Sequence, residues 1–325
     1  MEPSPDARRR SPWPIAALAC APMMLGPVLS NDGAIVAAGE TGGRYIKVAP
    51  TELDIHATAA LVVDDLGRTL YAKRTRERKP IASITKLMTA MVVLDAGLPL
   101  DEPVTIEESD RDTLRNSRSR LRIDRHATLA RDKMLAVALM SSDNRAASAL
   151  GRTALPGGKP AFVEAMNRKA AALGMTDSRF ADPTGLDARN QSTAEDLLKL
   201  VRAAAGYSLI RQITSRDSMQ VAPYGDRGIL EYRNTNPLVK SSEWQIEVSK
   251  TGFINEAGHC LVMQAVVGGR RLYIVLLDAS GRRTPVGDAG RLRQWVVSQQ
   301  TRQPGQQTAS RKNPCADPWA LTCWE

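Results

Sequence analysis

The chain has 325 residues, of which 43% are hydrophobic and 24% charged, a balance typical of a globular protein. This composition excludes a collagen-like chain, an intrinsically disordered chain and a multi-spanning membrane protein. The net charge of +9 is partly local, because residues 111–133 carry eight basic and three acidic side chains. No helix-turn-helix, zinc-finger or aromatic RNA-binding pattern accompanies this basic segment, so we expect no nucleic-acid partner.

The amino-terminal segment is typical of an export signal. Arginines at positions 8–10 precede an apolar stretch over 13–29 that prolines interrupt. A positive start, a short apolar stretch and small residues afterwards indicate a secretory signal peptide rather than a membrane-spanning helix. We therefore assign 1–38 to a signal peptide and leader, and leave open the cleavage site and lipidation at Cys20. We expect a periplasmic mature protein without an integral membrane span.

Hydrophobic periodicity predicts one α+β domain over 39–300, followed by a polar tail over 301–325 that has the composition of a disordered segment. Thr128 and Thr193 are expected to cap the helices that follow them. Strands at both ends enclosing a helical middle predict an antiparallel sheet assembled from distant segments. In chain order, the predicted elements are strands over 59–65 and 68–74, helices over 83–96, 129–140, 145–151, 160–173 and 193–205, strands over 246–252, 260–267 and 271–278, and a helix over 286–299.

The tetrapeptide Ser83-Ile84-Thr85-Lys86 opens the first predicted helix. Residues three apart lie on one helix face, so Lys86 can reach the Ser83 hydroxyl. A lysine in the first turn opposes the helix dipole, and both that environment and burial lower its pKa. A neutral amine beside a hydroxyl is a general base beside a nucleophile. The motif has only two fixed positions, and by itself it is weak.

Two later triplets strengthen this interpretation. Ser142-Asp143-Asn144 falls in a predicted break between helices, where side chains can point into a cleft. Lys250-Thr251-Gly252 ends a predicted strand, which can pair with an extended peptide and hold a carboxylate, while Gly252 leaves space for an acyl group. The three motifs in this order, on a helix, a loop and a strand, are highly specific.

Longer phrases around the motifs resemble a known family, the serine-type D-alanyl-D-alanine peptidases or low-molecular-mass penicillin-binding proteins, and most nearly its endopeptidase branch. The resemblance covers about residues 50 to 300. It implies an antiparallel sheet of about five strands with a helical subdomain, which is the penicillin-binding-protein and β-lactamase-like transpeptidase fold. The phrases are RKPIASITKLMTAMVVLDAGLPLDE (78–102), ALMSSDNRAA (138–147), LGMTDSRFADPTGL (173–186), RNTNPLV (233–239) and KTGFINEAGHCLVM (250–263).

The resemblance implies a role for each matching position. Ser83 would be the acylated nucleophile and Lys86 its general base. Ser142 would relay a proton to the leaving amine, and Asn144 would hold the substrate backbone amide. Asp143 occupies a variable position of the motif and receives no chemical role.

The substrate-binding positions follow in the same way. Lys250 and Thr251 would supply charge and a hydroxyl near the substrate carboxylate, and Gly252 would complete the motif. The backbone N–H groups of Ser83 and Phe253 would form the oxyanion hole.

The implied activity is hydrolysis of D-alanyl-diaminopimelate cross-links in peptidoglycan through an acyl-serine intermediate, without a metal or cofactor. Peptidoglycan would be the partner and β-lactam antibiotics would act as inhibitors. A D-alanyl-D-alanine carboxypeptidase is the first alternative. A catalytically silent peptidoglycan-binding protein of the same fold and a β-lactamase are the others.

Competing chemistries lack their motifs. The sequence contains no G-x-S-x-G, no H-E-x-x-H and no phosphate-binding glycine loop. The four cysteines show no C-x-x-C spacing, so we expect no zinc site. Cys260 is predicted to be a buried structural thiol, and His259 to have a structural role.

Overall fold

The computed structural model describes residues 53–112, 119–225 and 228–301. The signal peptide and leader assigned to 1–38, with Cys20, lie outside the described residues. So does the tail from residue 302, and both assignments stay predictions. In the part of the chain that is described, no helix combines the length and the apolar character needed to cross a membrane.

The strands are β1 (Ala59–Asp64), β2 (Thr69–Lys73), β3 (Lys79–Pro80), β4 (Pro103–Thr105), β5 (Thr128–Ala130), β6 (Gln191–Ser192), β7 (Ser218–Val221), β8 (Leu230–Arg233), β9 (Gln245–Ile254), β10 (Gly258–Val267) and β11 (Arg270–Ala279). The principal sheet is antiparallel and has five strands in the order β2-β1-β11-β10-β9, which leaves β9 at one edge. This arrangement confirms the predicted α+β class and the predicted assembly of distant segments. Short strands form three further pairs, β3 with β6, β4 with β5 and β7 with β8.

Helices cover both faces of the principal sheet. Helices α1 to α6 belong to the subdomain on one face, and α7 packs on the other. A 3-10 turn, Ala82–Ile84, leads directly into α1. The helices are α1 (Thr85–Asp95), α2 (Arg131–Met140), α3 (Asn144–Thr153), α4 (Gly158–Ala172), α5 (Ala194–Ala204), α6 (Ser208–Thr214) and α7 (Thr284–Thr301).

Strand β1 shows why the sequence of the sheet is apolar on both faces. Side chains alternate along a strand, so Leu61 packs into the core beneath the helical subdomain and Val62 into the core beneath α7. All six residues of β1 are buried. A strand covered on both faces therefore appears in sequence as an apolar run rather than an alternating one.

The boundaries differ from prediction where pairing over long distances decides them. Thr128 does not cap α2, which begins at Arg131. Instead Thr128 lies in β5, where its hydroxyl is 2.8 Å from the hydroxyl of Thr105 on β4. Helix α6 and the β7–β8 hairpin were not predicted. Thr193 does cap α5, because its hydroxyl accepts a hydrogen bond from the backbone N–H of Asp196 at 3.2 Å.

A close backbone approach fixes the start of α1 against the helical subdomain. Gly185, in the loop between α4 and β6, has a φ of +80°. A Cβ at this position would lie 1.9 Å from the carbonyl oxygen of Ala82, far inside any allowed contact. Only glycine permits this packing, which holds the 3-10 turn in place.

We expect Gly185→Ala to lower the free energy of unfolding by more than about 4 kcal/mol, because the added methyl group meets rigid backbone. Gly67 is the matched control, since it has the same φ of +80° but nothing within 4 Å of an added Cβ. Gly67→Ala should cost about 1–2 kcal/mol, the strain of the left-handed backbone alone. Urea unfolding of the two variants measures the difference, and equal losses would contradict the steric explanation.

Candidate active site

Ser83 lies in the 3-10 turn that precedes α1, at the junction of the helical subdomain and the sheet. Its side chain is nearly buried, and the preceding Ala82 has a φ of +47°. A non-glycine residue in the left-handed region costs of order 1–3 kcal/mol and persists only where the surroundings enforce it. Here the surroundings are the loop at Gly185 on one side and Gly252 of β9 on the other.

The amine of Lys86 is the centre of the site. It is 1% exposed and lies 2.8 Å from Ser83 Oγ, which confirms the contact expected from the i, i+3 spacing. It also lies 2.7 Å from Asn144 Oδ1 and 2.6 Å from the carbonyl oxygen of Thr184. Three segments of the chain therefore meet at one nitrogen atom.

The three contacts of Lys86 dictate where its lone pair points. A protonated amine can donate to all three oxygens, whereas a neutral amine keeps two N–H groups and one lone pair. The oxygens of Asn144 and Thr184 are carbonyl oxygens and only accept. The two N–H groups of the neutral amine therefore donate to these oxygens, and its lone pair faces the hydroxyl of Ser83, which can donate.

The protein environment favours this neutral state. Burial lowers the pKa of Lys86 from 10.5 to about 7, against the opposing charges of Asp182 and Asp143. The amine can thus exchange a proton near neutral pH, as a general base must.

Ser142 and Asn144 reach the cleft from the turn between α2 and α3. Ser142 has a φ of +62° and places its hydroxyl 2.9 Å from Lys250 Nζ. Asp143 caps α3, accepting from the N–H of Ala146 at 3.1 Å, so Asn144 becomes the first residue of the helix. Asp143 is thus a positioning residue, a role that the sequence reasoning did not assign.

Lys250 and Thr251 approach the same cleft from β9. Lys250 is buried, and this burial, together with the charge of Lys86, lowers its pKa well below the ordinary value. The hydroxyl of Thr251 donates to the hydroxyl of Thr235 at 2.6 Å. Lys250, Thr251 and Ser142 therefore present an amine and hydroxyls at one end of the cleft, a suitable site for an anionic group.

Gly252 and Phe253 continue the edge strand, and Gly252 packs against the turn that carries Ser83. A Cβ at Gly252 would lie 3.1 Å from the backbone nitrogen of Ser83, so glycine allows β9 and the 3-10 turn to approach closely. The side chain of Phe253 is 53% exposed and stacks on His259, with ring centroids 4.2 Å apart. The structure thus brings all eight predicted site residues to one cleft.

Two residues in the loop before β6 support the site and were missed from sequence. The carboxylate of Asp182 accepts from the backbone N–H groups of Thr184 at 2.8 Å and Gly185 at 2.6 Å. This turn aims the carbonyl oxygen of Thr184 at Lys86. Both residues lie in the phrase over 173–186 that carried the family resemblance. Thr184 could not be identified as part of the site, because it acts through a backbone carbonyl that every residue has.

Thr235 was also missed. Its backbone N–H donates to the carbonyl oxygen of Met140 at 3.0 Å, which ties the segment before β9 to the end of α2. Its hydroxyl then stands beside the hydroxyl of Thr251, at the end of the cleft that also presents the Lys250 amine. Sequence reasoning could have identified Thr235, the threonine of the RNTNPLV phrase, only if its contact with Thr251 had been known.

The structural roles predicted for two other residues agree with the structure. Cys260 is buried, its thiol lies 3.4 Å from the carbonyl oxygen of Ala257, and burial raises its pKa to about 12. His259 pairs with Phe253 across β9 and β10, and the two rings stack. Among the described residues, the hydrogen bonds of the Lys86 amine go to Ser83, Asn144 and Thr184 and to neither Cys260 nor His259.

Comparisons with known proteins agree with this geometry. The family described as D-alanyl-D-alanine carboxypeptidase matches residues 46–281, a range that contains all three motifs. The chain is 46% identical over 252 residues to the D-alanyl-D-alanine endopeptidase of Pseudomonas aeruginosa, covering 77% of this chain and 80% of that protein. It is 45% identical over 245 residues to the D-alanyl-D-alanine endopeptidase of Escherichia coli, covering 75% and 78%. The crystal structure of the Streptomyces K15 DD-transpeptidase superposes with a TM-score of 0.69 at 27% identity, covering 75% of this chain and 98% of that chain.

We expect the Lys86 amine to titrate near pH 7, because burial disfavours its charged form. The folded protein then binds fewer protons than the unfolded chain between about pH 7 and 10.5, so this group makes stability rise with pH across that interval. Carbon-13 NMR of labelled lysine side chains measures the titration, and Lys86→Met identifies the resonance by its loss. A Lys86 resonance that titrates only above pH 9 would contradict the prediction.

Proposed function

Since the chain belongs to the D-alanyl-D-alanine carboxypeptidase family, we propose that it is an exported serine D,D-endopeptidase that hydrolyses D-alanyl-diaminopimelate cross-links in peptidoglycan. The observation that carries the proposal is the contact of 2.8 Å between Ser83 Oγ and a buried amine whose other partners are carbonyl oxygens. We place the mature enzyme in the periplasm, where its substrate lies.

Acylation begins with a proton transfer. Neutral Lys86 accepts the hydroxyl proton as Ser83 Oγ attacks the D-alanyl carbonyl carbon. The backbone N–H groups of Ser83 and Phe253 stabilise the oxyanion, and such donors are worth about 3–4 kcal/mol each. The amide C–N bond then breaks, and the proton held by Lys86 passes through Ser142 to the leaving amine, which leaves Lys86 neutral again. An ester at Ser83 remains.

Deacylation returns the enzyme to its starting state. A water molecule attacks the ester carbonyl, and Lys86 accepts one of its protons. The proton passes to Ser83 Oγ as the ester bond breaks, which releases the D-alanyl carboxylic acid. The same base therefore serves both halves of the reaction, and every proton is accounted for within the site.

The anion-binding end of the cleft supports recognition of either candidate bond. The leaving group is a D-alanine in a carboxypeptidase reaction and the D-centre of diaminopimelate in a cross-link. Both carry a carboxylate next to the amine that leaves. Lys250, with the hydroxyls of Thr251 and Thr235, supports recognition of that carboxylate in both cases.

Size rather than charge must then separate the two activities. A cross-link has a second stem peptide attached to the leaving group, which requires open space beyond Lys250. The names of the two bacterial relatives favour the endopeptidase. The carboxypeptidase named in the family description is the alternative.

A β-lactam is also an amide, but its leaving amine stays tethered to the acyl group. The amine cannot diffuse away, so it obstructs the path of water to the ester. We therefore propose that β-lactams acylate Ser83 and inhibit the enzyme.

We expect Ser83→Ala to abolish covalent labelling by a fluorescent penicillin, because the attacking oxygen is gone. Lys86→Arg should reduce labelling by at least about 100-fold, since a guanidinium stays protonated and cannot act as a base. Ser215→Ala, at an exposed serine outside the cleft, is the control and should label normally. Intact-mass analysis after incubation measures the adduct. An adduct on the Ser83→Ala variant, or normal labelling of Lys86→Arg, would overturn the proposed roles.

We expect cross-linked muropeptide dimers to be converted to monomers faster than monomeric pentapeptides lose their terminal D-alanine. Penicillin should block the reaction and a metal chelator should not affect it, because the proposed steps use only side-chain and backbone groups. Chromatography of timed digests measures both products in one reaction. Trimmed pentapeptides with intact dimers would assign the protein to the carboxypeptidase alternative instead.

A further inference from the structure

Residues 234–236 border the end of the cleft that presents Lys250 and Thr251, and we call them the rim segment. They follow β8 directly. The middle residue, Thr235, accepts a hydrogen bond from the hydroxyl of Thr251 at 2.6 Å. Of the three side chains in the rim segment, only that of Thr235 is exposed, since Asn236 is buried and Asn234 is partly buried. Thr235 is therefore the residue through which the rim segment can meet a bound substrate.

Hydrogen bonds on every backbone N–H group fix the rim segment. The N–H of Asn234 donates to the carbonyl oxygen of Asp217 at 2.7 Å, and the N–H of Thr235 donates to that of Met140 at 3.0 Å. The N–H of Asn236 donates to the side-chain oxygen of Asn234 at 2.9 Å. The backbone at Thr235 is thus tied to the end of α2, and it cannot move aside without breaking these bonds.

The side chains of the two asparagines anchor both flanks of Thr235. The amide nitrogen of Asn234 donates to the carbonyl oxygens of Thr214 at 3.0 Å and Arg216 at 2.9 Å. The side-chain oxygen of Asn236 accepts from the N–H of Leu238 at 3.1 Å. The fold therefore sets where the side chain of residue 235 begins, and the length of that side chain sets how much of the cleft it occupies.

The two candidate substrates differ in what the leaving D-centre carries. In both, the carboxylate on this centre would lie at Lys250 and Thr251, so the rest of the leaving group would pass close to Thr235. A terminal D-alanine has only a methyl group there, whereas a cross-link continues through a methylene chain to a second stem peptide. A long side chain on the fixed rim segment would obstruct that chain and spare the methyl group.

We propose that Thr235 determines which leaving group the enzyme accepts, because its short side chain keeps this end of the cleft open to a D-centre that carries a second stem peptide. The hydroxyl of Thr235 has a separate role. It lies where both leaving groups place their carboxylate, so it does not discriminate between them. The inference rests on the proposed function, because it takes the position of the leaving carboxylate from the proposed roles of Lys250 and Thr251.

Variants of residue 235 separate the length of the side chain from its hydroxyl. The measurement is the ratio of two rates in one digest, conversion of cross-linked muropeptide dimers to monomers over loss of D-alanine from monomeric pentapeptides. We expect Thr235→Gln, which is longer and still polar, to lower this ratio by about tenfold or more. Thr235→Val keeps the shape without the hydroxyl, so both rates should fall by a similar factor and the ratio should stay. Thr235→Ser should also keep the ratio.

Thr69→Gln is the matched control, because Thr69 is an exposed threonine on β2, at the opposite edge of the principal sheet from β9. It should leave both rates unchanged. A fall of both rates by the same factor in Thr235→Gln would indicate displacement of the rim segment or of β9 and would overturn the inference. An unchanged ratio in that variant would overturn it as well.

The unaltered protein distinguishes failure of this inference from failure of the function on which it rests. Cleavage of dimers by the unaltered protein, with an unchanged ratio in Thr235→Gln, would leave the endopeptidase standing and remove only the role of Thr235. Trimming of pentapeptides with intact dimers would show that a short side chain at 235 does not admit a second stem, which overturns the inference while the peptidase stands. If the unaltered protein cleaves neither substrate, the proposed function fails and the inference with it.

Discussion

The burial of the Lys86 amine is the constraint on which the rest of the site depends. Removing an ammonium ion from water costs several kcal/mol even after the protein relaxes, so the fold must supply acceptors, remove the proton, or do both. This chain does both, with three oxygens within 2.8 Å and a pKa of about 7. A nucleophile next to such an amine is activated by the fold itself.

The second buried lysine couples substrate recognition to this activation. Burial, and secondarily the charge of Lys86, lower the pKa of Lys250, so the two amines disfavour simultaneous protonation. A carboxylate bound beside Lys250 and Thr251 stabilises a proton on Lys250, because it lies nearer to that amine than to Lys86. Because the repulsion is mutual, a protonated Lys250 would favour the neutral form of Lys86, as the proposed role of a general base requires.

The parts of this site that the sequence predicted are those with a local pattern. Ser83 and Lys86 follow from helix spacing, and Lys250 from its place at the end of an apolar strand. Thr184 could not be found in this way, because it acts through a backbone carbonyl that any residue possesses. Thr128 was misplaced for a related reason: its hydroxyl has a partner 23 residues away, and that pairing replaced the expected cap.

The long elements of the fold could be predicted from the sequence, whereas the short strands could not. The apolar run of β1 and the helical periodicity of α5 each extend over many residues, so tertiary context can move only the ends of these elements. Strands of two or three residues, such as β3 and β5, have no periodicity, and only their distant partners make them strands. These short pairings nonetheless matter, since β3 precedes the turn that carries Ser83.

The site also has to keep the Lys86 amine away from water while it stays open to a polymeric substrate. An unpaired sheet edge is usually a liability, but here the edge of β9 leaves backbone groups available for a peptide. Access along that edge would solvate Lys86 if the amine lay in the open groove. The 3-10 turn avoids this by placing Ser83, at 8% exposure, between the groove and the amine, at 1%. Ser83, the proposed nucleophile, thus lies at the boundary between the open groove along β9 and the dry pocket of the Lys86 amine, and the strained backbone at Ala82 holds it there.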